Sequence, residues 1–492
     1  MTGRLRALGR DLAVYGLGEI AVKAFGFVTL PVYTRLLVPA DYGLAGYLST
    51  VVGLASAILI LGGDSAYARF FYAASTTEER RRITTTWISF LGAFSCVGIA
   101  LLAPFSGAIA AAAFDSPDQG PLVLVAIAAV PILIVNRMCG QVLRNQFRPG
   151  AFTVLNIGSV TLSVALALIC VAVLELGVTG LFLGTLIAEV VLLPIRLLVV
   201  RDMFGLTFSA AILRRLLSFG LPLVPMSIAY WIFLTSDRIV LAQLSTLEQV
   251  GLYSVAATLV AVPSVAISAV SQAWSPHAIS SYEEDPEGAR HLVARIGVYV
   301  LTGFGLLSVG ITAFAPELLR VLSTGRYAPA ADAVAPLALA MVAQASTTVT
   351  ALGISLVKRT TVLAVLAWVA AGVNAALNLV LDGPFGMVGA AWATTAAYVA
   401  LTVGYHLVSQ RLWHVPYPGR EAVLAIAATV IFTLSAPLLP TTELAVAVAV
   451  KALYCLAFVA VLIGLRVVDV WVLVTAVRSR RAVSIEGRGH AD

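Results

Sequence analysis

Charged residues are scarce in this chain of 492 residues: Asp, Glu, Lys and Arg together make up 11% of it. A soluble domain keeps about 25% charged residues. With 60% hydrophobic residues as well, the sequence excludes an ordinary soluble protein and predicts an integral membrane protein. The net charge of +6 does not indicate a nucleic-acid partner, because the basic residues of membrane proteins collect in cytoplasmic loops.

Residue patterns for metal binding and catalysis are also missing. The four cysteines, Cys96, Cys139, Cys170 and Cys455, form no CxxC pair, and the five histidines are scattered. The chain has no phosphate-binding GxxxxGK[ST] loop, no zinc-binding HExxH and no GxSxG nucleophile motif. The sequence therefore predicts neither an enzyme nor a resident cofactor or metal.

The chain does contain about fourteen apolar stretches long enough to cross a bilayer as helices, which takes ~20 residues each. They lie at roughly 12–36, 42–63, 83–103, 121–142, 152–174, 178–200, 219–241, 251–274, 296–316, 334–356, 361–381, 386–409, 421–438 and 444–464. Most Lys and Arg residues fall in the connections on one side of these spans. The positive-inside rule then predicts that both termini are cytoplasmic.

Short sequence matches at one offset indicate that the chain is duplicated. QVGL at 249–252 matches DYGL at 41–44, and GMVG at 386–389 matches GVTG at 177–180, each about 208 residues earlier. Six helices per copy is an even number, so both copies enter the membrane the same way and are related by an axis along the membrane normal. The predicted fold is all-α, with two six-helix lobes and two extra C-terminal helices.

The predicted domains follow from this division. They are the N-terminal lobe at 1–215, the C-terminal lobe at 216–412, the appended helices 13 and 14 at 413–465, and a cytoplasmic tail at 466–492.

Three stretches carry a family resemblance. They are residues 33–71, which begin YTRLLVPADYGL, residues 218–276, which begin SFGLPLVPMSIAYW, and residues 374–399, NAALNLVLDGPFGMVGAAWATTAAYV. All three resemble bacterial polysaccharide flippases. They lie in both lobes, so the resemblance covers most of the chain. It is to the oligosaccharide flippase branch of the multidrug/oligosaccharidyl-lipid/polysaccharide (MOP) exporter superfamily, which includes O-antigen and teichuronic-acid flippases.

The resemblance implies a transporter of the bacterial inner (cytoplasmic) membrane for surface polysaccharide biosynthesis. It would move undecaprenyl-pyrophosphate-linked oligosaccharide from the inner to the outer leaflet by alternating access. Its expected partners are the lipid-linked glycan, membrane lipids and other polysaccharide assembly proteins. Two alternatives stay open: a cation-coupled multidrug exporter of the same superfamily, and a non-transporting scaffold of a glycan assembly complex.

Four charged residues in or beside the spans are the predicted substrate contacts. Glu19 and Lys23 lie one helical turn apart on one face, where exposure to hydrocarbon is costly. Either Lys23 faces a cavity and meets the pyrophosphate, or the two charges only neutralise each other. Arg69 either forms part of a gate or anchors helix 2. Lys451 in helix 14 either attracts the lipid phosphate or extends to the interface. Glu189 in helix 6 has no partner that the sequence identifies.

Four oxygen-bearing residues at one depth of the second lobe are the predicted ion-coupling residues: Asp237, Asn374, Asn378 and Thr394. Carboxylate, amide and hydroxyl oxygens hold hard cations such as Na⁺, and a buried carboxylate also serves H⁺ coupling. The pattern is similar to the sodium site of the lipid II flippase branch, with Asn378 in place of an acid. Alternatively, the asparagines only hydrogen-bond one helix to another, and Asp237 only pairs with Arg238.

Reversing the charge at Lys23 tests the first group of residues. If Lys23 meets the pyrophosphate, Lys23→Glu is expected to abolish surface glycan without loss of protein, because like charges repel. Staining of surface polysaccharide beside an immunoblot of the membrane fraction measures both quantities. Full staining in the variant would contradict the role given to Lys23.

Overall fold

The structure, a computed structural model, describes residues 25–114, 117–205, 207–357, 359–440 and 443–467. Glu19 and Lys23 lie outside the described residues, as does the predicted tail from residue 468 onward. Within the described ranges the regular structure is helical, without a strand. The predicted all-α membrane fold is confirmed in this respect.

The helices are numbered in chain order. The described part of α1 is residues 25–36. It is followed by α2 (Pro39–Leu59), α3 (Gly63–Ala73), α4 (Thr77–Leu102), α5 (Ser106–Phe114), α6 (Gly120–Ala128), α7 (Val130–Asn145), α8 (Pro149–Leu168), α9 (Gly177–Val199) and α10 (Ala210–Gly220). The second half contains α11 (Val224–Leu244), α12 (Leu247–Glu284), α13 (Pro286–Leu322), α14 (Ala331–Thr350), α15 (Leu352–Leu356), α16 (Thr360–Leu412), α17 (Gly419–Ser435) and α18 (Leu444–Gly464).

Among the described residues, twelve helical segments are long and apolar enough to cross a membrane. One of them lies within α16, whose 53 residues would extend ~80 Å, far more than the ~30 Å hydrocarbon core of a bilayer. Gly386 interrupts α16 with a φ of 55°, so two helices meet there, at the boundary between the predicted spans 361–381 and 386–409. The count of fourteen spans stays a prediction.

Two helices extend well past the spans predicted for them. The 38 residues of α12 and the 37 of α13 are separated by Asp285 alone. The Asp285 side chain accepts a hydrogen bond from the Glu287 backbone N–H, and Pro286 occupies the first turn, so α13 begins immediately. Each helix is ~55 Å long, and the hairpin therefore projects beyond the hydrocarbon core.

Buried apolar side chains form two large cores, one in each half of the chain. The first joins residues of α2 to α10, such as Trp87 and Leu91, and the second joins residues of α11 to α16 together with Leu30. The division falls within a few residues of the predicted lobe boundary. A smaller core, which includes Phe458, packs α17 and α18 against α13.

The two lobes pack together where α2 crosses α12. Gly43 and Gly251, which the sequence repeat aligns with each other, lie at this crossing. A Cβ on Gly43 would overlap the carbonyl oxygen of Leu247, and one on Gly251 would overlap that of Pro39. Glycine at both positions allows the backbones to approach this closely. We call this end of the bundle the Gly43 end.

Hydrogen bonds reinforce the contact at the Gly43 end. The Tyr327 hydroxyl donates to the carbonyl oxygen of Leu37 at 2.9 Å, and the Thr34 hydroxyl donates to that of Leu322 at 3.1 Å. Tyr327 also packs edge-on against Tyr42. The helix α1 and the start of α2 are thereby held against the C-terminal lobe.

The opposite end of the N-terminal lobe is called the Asp64 end. Here α4 is tied to the segment after α9: Arg81 Nε donates to the carbonyl oxygen of Asp202 at 2.7 Å, and the Gly205 backbone N–H donates to Thr85 at 2.7 Å. These bonds stay within the N-terminal lobe.

The repeat is also visible in backbone conformation. Gly177 and Gly386, about 209 residues apart, have φ of 53° and 55°, in the left-handed region that glycine adopts without strain. Gly177 begins α9, and Gly386 begins the second half of α16. A glycine with a positive φ therefore stands at the start of the last helix of each predicted lobe.

Candidate functional site

The N-terminal lobe contains a cavity of about 700 Å³ bounded by α3, α7, α8 and α9. At its rim, Arg137 Nη2 lies 2.5 Å from a carboxylate oxygen of Asp64, and these side chains are 60% and 35% exposed, so the cavity opens at the Asp64 end. Arg144 also lines the cavity, with its guanidinium 4.8 Å from the centre of the Phe152 ring.

A buried carboxylate lies deeper in the same cavity. Glu189 is 7% exposed and accepts hydrogen bonds from Asn136 Nδ2 at 2.6 Å and from the Ser159 hydroxyl at 2.5 Å. Asn136 Nδ2 also donates to the Glu189 backbone carbonyl at 3.0 Å. The donors come from α7 and α8, so three helices converge on one acid.

Arg196 lines the cavity two turns from Glu189 on α9 and is 5% exposed. Its guanidinium donates to the carbonyl oxygens of Asn136 and Leu155 and to Asn156 Oδ1, at 3.2 to 3.3 Å. All of these acceptors are neutral. Its Nε and the Oδ1 of Asn136 are buried without a hydrogen-bond partner in the described part of the chain. Buried polar atoms of this kind normally bind water or a ligand.

Of these residues, the sequence singled out Glu189 but identified no partner for it. A usable signal was present: Glu189 and Arg196 are seven residues apart, which places them on one face of α9. Asn136 and Ser159 stand on other helices, and no spacing rule connects them to Glu189.

The C-terminal lobe contains a second polar cluster around Asp237, which is buried. Its carboxylate accepts hydrogen bonds from the Tyr253 hydroxyl and, at 2.8 Å, from the Arg238 backbone N–H. The Arg238 guanidinium lies 3.9 Å from the same carboxylate. Thr394 is 3.4 Å from the Tyr253 hydroxyl, and these residues line a cavity of about 270 Å³.

The two asparagines predicted for this cluster are fully buried next to it. Asn378 Nδ2 donates to Asn374 Oδ1 at 3.1 Å, and the Ser236 hydroxyl donates to the same oxygen at 3.3 Å. The structure thus connects α11 to α16 through Ser236, and connects Asp237 to Thr394 through Tyr253. The Asp237–Arg238 contact and the asparagine hydrogen bonds of the alternative reading are present too, so ion coupling stays a prediction.

Asp382 is an acid of this region that the sequence analysis did not single out. It is 0% exposed, and neither of its carboxylate oxygens has a hydrogen-bond partner among the described residues. It lies close enough to Asp237 for the two carboxylates to repel each other. The signal was again a spacing, because Asn374, Asn378 and Asp382 recur every four residues on one face of α16.

The family model described as polysaccharide biosynthesis protein matches residues 32–332 of the chain. The chain belongs to this family. The resemblance seen in the sequence is thereby confirmed. No curated protein sequence matches the chain.

The fold of this polysaccharide biosynthesis protein is similar to that of several solved membrane transporters. The lipid II flippase MurJ in an inward closed conformation aligns with a TM-score of 0.73 at 13% identity, over 91% of this chain and 98% of that one. An inward-facing multidrug resistance MATE family transporter of the MOP superfamily aligns at 0.64 and 15% identity, over 80% and 94%. A MOP superfamily transporter from Pyrococcus furiosus aligns at 0.58 and 14%, over 87% and 96%.

Two predicted substrate contacts of this polysaccharide biosynthesis protein have partners within the protein. Arg69 is exposed, with its guanidinium 4.8 Å from the centre of the Phe219 ring, an arrangement that suits an interfacial anchor. Lys451 is 1% exposed, and its Nζ lies 2.7 Å from both carboxylate oxygens of Glu317 on α13. Substrate contact at either residue stays a prediction, and the position of Lys451 favours a structural role.

Proposed function

We propose that the protein is a flippase for undecaprenyl-pyrophosphate-linked oligosaccharide and works by alternating access. The observation that carries the proposal is the cavity at the Asp64 end, lined by Arg137, Arg144 and Arg196. Arginine suits phosphate groups, and the amide, hydroxyl and carboxylate groups deeper inside suit sugars. Membership in a polysaccharide biosynthesis family supports the same substrate class.

The orientation follows from the distribution of charge. Arginines crowd the Asp64 end, among them Arg80, Arg81, Arg82, Arg148 and Arg201. The positive-inside rule makes this end cytoplasmic. The cavity of the N-terminal lobe is then open to the cytoplasm, while the lobes are packed together at the outer end.

In the proposed cycle, the anionic head group enters from the cytoplasmic side while the polyprenyl chain stays in lipid. The lobes then rock about the predicted axis, which opens the Gly43 end. Moving one negative charge outward across a potential of about 100 mV, inside negative, is favourable by ~2.3 kcal/mol. The membrane potential therefore supplies part of the driving force.

A coupling ion would add to this driving force, and we place it at the Asp237 cluster. Asp237 and Asp382 contribute two carboxylates, and the neighbouring Arg238 contributes one positive charge. The balance suits one monovalent cation, Na⁺ or H⁺. Oδ1 of Asn378, which has no hydrogen-bond partner within the described ranges, and the Thr394 hydroxyl are the hard oxygen donors that Na⁺ prefers.

Removing the second acid tests the ion site. In Asp382→Asn, the remaining charges balance without a cation. The stimulation of the transport rate by Na⁺ is therefore expected to fall by at least about tenfold. If H⁺ is the coupling ion, the change of the transport rate with pH in the absence of Na⁺ should fall by the same factor. Asp237→Asn should behave alike. The measurement is the transport rate in proteoliposomes against Na⁺ concentration at fixed pH. Asp332→Asn, an exposed acid at the start of α14, is the matched control. An unchanged ion dependence in Asp382→Asn would refute the assignment.

The function itself is tested with purified protein in proteoliposomes that contain lipid-linked oligosaccharide. Appearance of the glycan on the opposite leaflet, measured by accessibility to a membrane-impermeant lectin, is expected to require the protein. No translocation, together with greater drug susceptibility of a deletion strain, would favour the multidrug exporter. The scaffold would be favoured by three results together. The purified protein translocates no glycan, the deletion strain keeps its drug susceptibility, and variants with neutralised buried charges still make surface glycan.

A further inference from the structure

We infer that the cavity of the N-terminal lobe binds a sugar diphosphate ester. Arg144 and Arg196 contact the phosphates, and Glu189, Asn136 and Ser159 contact the first sugar. The inference rests on the proposed function for the source of the ligand, the lipid-linked glycan. A water-soluble sugar diphosphate shares the same chemistry, and the experiment below separates the two sources.

The arginines assigned to the phosphates are those that have no carboxylate partner in the protein. Arg137 is paired with Asp64, whereas neither Arg144 nor Arg196 has a carboxylate within 4.0 Å among the described residues. Arg196 is nine-tenths buried, and its Nε has no acceptor in the part of the chain that the structure describes. A buried guanidinium with neutral acceptors only is costly, and an anion in the cavity would lower that cost.

The depth of these arginines matches the position of a lipid-linked diphosphate. Arg144 stands in the last turn of α7, and Arg196 in the last turn of α9. Both therefore lie near the boundary between hydrocarbon and water. A polyprenyl diphosphate carries its phosphates at this boundary, with the sugar free to enter the protein. Arginine binds phosphate through paired N–H donors, which lysine cannot reproduce.

The sugar contacts adjoin Arg196 on the inner side: Glu189 stands two helical turns before Arg196 on α9, and Asn136 accepts from Arg196 through its carbonyl oxygen and donates to Glu189 through its side-chain amide. Here one buried carboxylate, one amide with a free Oδ1 and one hydroxyl surround the inner part of the cavity. Sugar hydroxyl and acylamino groups donate and accept hydrogen bonds, so they complement this set. A volume of about 700 Å³ is in the usual range for a ligand site.

The experiment measures binding to the purified full-length protein in nanodiscs. Four probes are compared: undecaprenyl diphosphate, undecaprenyl-diphosphate N-acetylglucosamine, water-soluble UDP-N-acetylglucosamine and inorganic pyrophosphate. Arg144→Gln and Arg196→Lys are expected to weaken the Kd of both lipid probes by about 10- to 100-fold. Glu189→Gln is expected to weaken the sugar-bearing lipid about tenfold and to leave undecaprenyl diphosphate unchanged. Arg201→Gln, an exposed arginine at the same end, should change nothing.

The selective effect of Glu189→Gln separates sugar contact from a structural role, which would affect both lipids equally. Arg144 is exposed, so Arg144→Gln keeps the inference testable if Arg196→Lys does not fold. Unchanged lipid binding in Arg144→Gln, or pyrophosphate alone binding as tightly as the sugar-bearing lipid, would overturn the inference.

Transport results distinguish this inference from the proposed function. If lipid-linked glycan is translocated by wild type and equally by both arginine variants, the inference is overturned and the flippase function stands. If the soluble sugar diphosphate binds with the expected dependence on Arg144 and Glu189 but neither lipid probe binds, the site is supported and the flippase function is contradicted.

Discussion

Replacing Lys451 by alanine is expected to destabilise the protein by about 3–5 kcal/mol, because Glu317 would keep its charge in a buried site without a partner. The observed geometry is that of a closed pair, with both carboxylate oxygens of Glu317 at 2.7 Å from Lys451 Nζ. The pair joins α18 to α13, so its loss should loosen the appended helices from the C-terminal lobe. The measurement is thermal unfolding of the purified protein in detergent.

Two comparisons make this prediction specific. Replacing both partners by apolar residues, as in the double variant Lys451→Met, Glu317→Leu, should recover most of the lost stability, because no buried charge is then left unpaired. Arg290→Ala, which breaks the more exposed pair with Glu287, should cost no more than about 1 kcal/mol. If Lys451→Ala unfolds at the wild-type temperature, Lys451 does not have the structural role inferred here.

Replacing Gly43 by leucine is expected to reduce transport strongly, because the side chain has no space where α2 crosses α12. Even a Cβ would overlap the Leu247 carbonyl. Overpacking by a few methylene groups costs about 1–3 kcal/mol in a packed site, which would lower the population of the state closed at the Gly43 end by about 5- to 150-fold. A smaller population of that state slows alternating access.

The trapped state is detectable directly. Ser254 lies at the same crossing, next to Gly46, and is buried. In a background without native cysteines, Ser254→Cys should react faster with a membrane-impermeant thiol reagent once Gly43→Leu is present. Gly372→Leu is the control, since a Cβ there meets nothing within 4 Å. Transport at the wild-type rate by Gly43→Leu would show that this crossing does not open and close during the cycle.

The sequence could predict how deep in the membrane each residue of the candidate site lies. Once the apolar spans are placed, each residue has a height along its helix. Asp237, Asn374, Asn378 and Thr394 were grouped on this basis. In the structure Tyr253 hydrogen-bonds to Asp237 and lies 3.4 Å from Thr394, and Ser236 donates to Asn374, while ion coupling at these residues stays a prediction. Asp382 was missed because it falls just past the predicted end of its span, where a charge suggests a loop.

Lateral neighbours could not be predicted in the same way. Lys451 and Glu317 are 134 residues apart, and Glu189 takes its hydrogen bonds from two other helices. A helix that is apolar nearly all round gives little indication of which face meets which neighbour. Partners on different helices therefore had no signal in the order of residues.

The amino-acid sequence by itself determined that this protein is an all-helical membrane protein, in which glycines at matching positions have the backbone freedom that turns and close approaches need. These properties depend on hydropathy and on local backbone freedom, which each segment carries alone. Only the tertiary structure decided that Arg196 faces a cavity beside Glu189, that Lys451 is neutralised by Glu317, and that Gly43 meets Gly251. Those contacts depend on the rotation and crossing of whole helices, which packing among many side chains sets together.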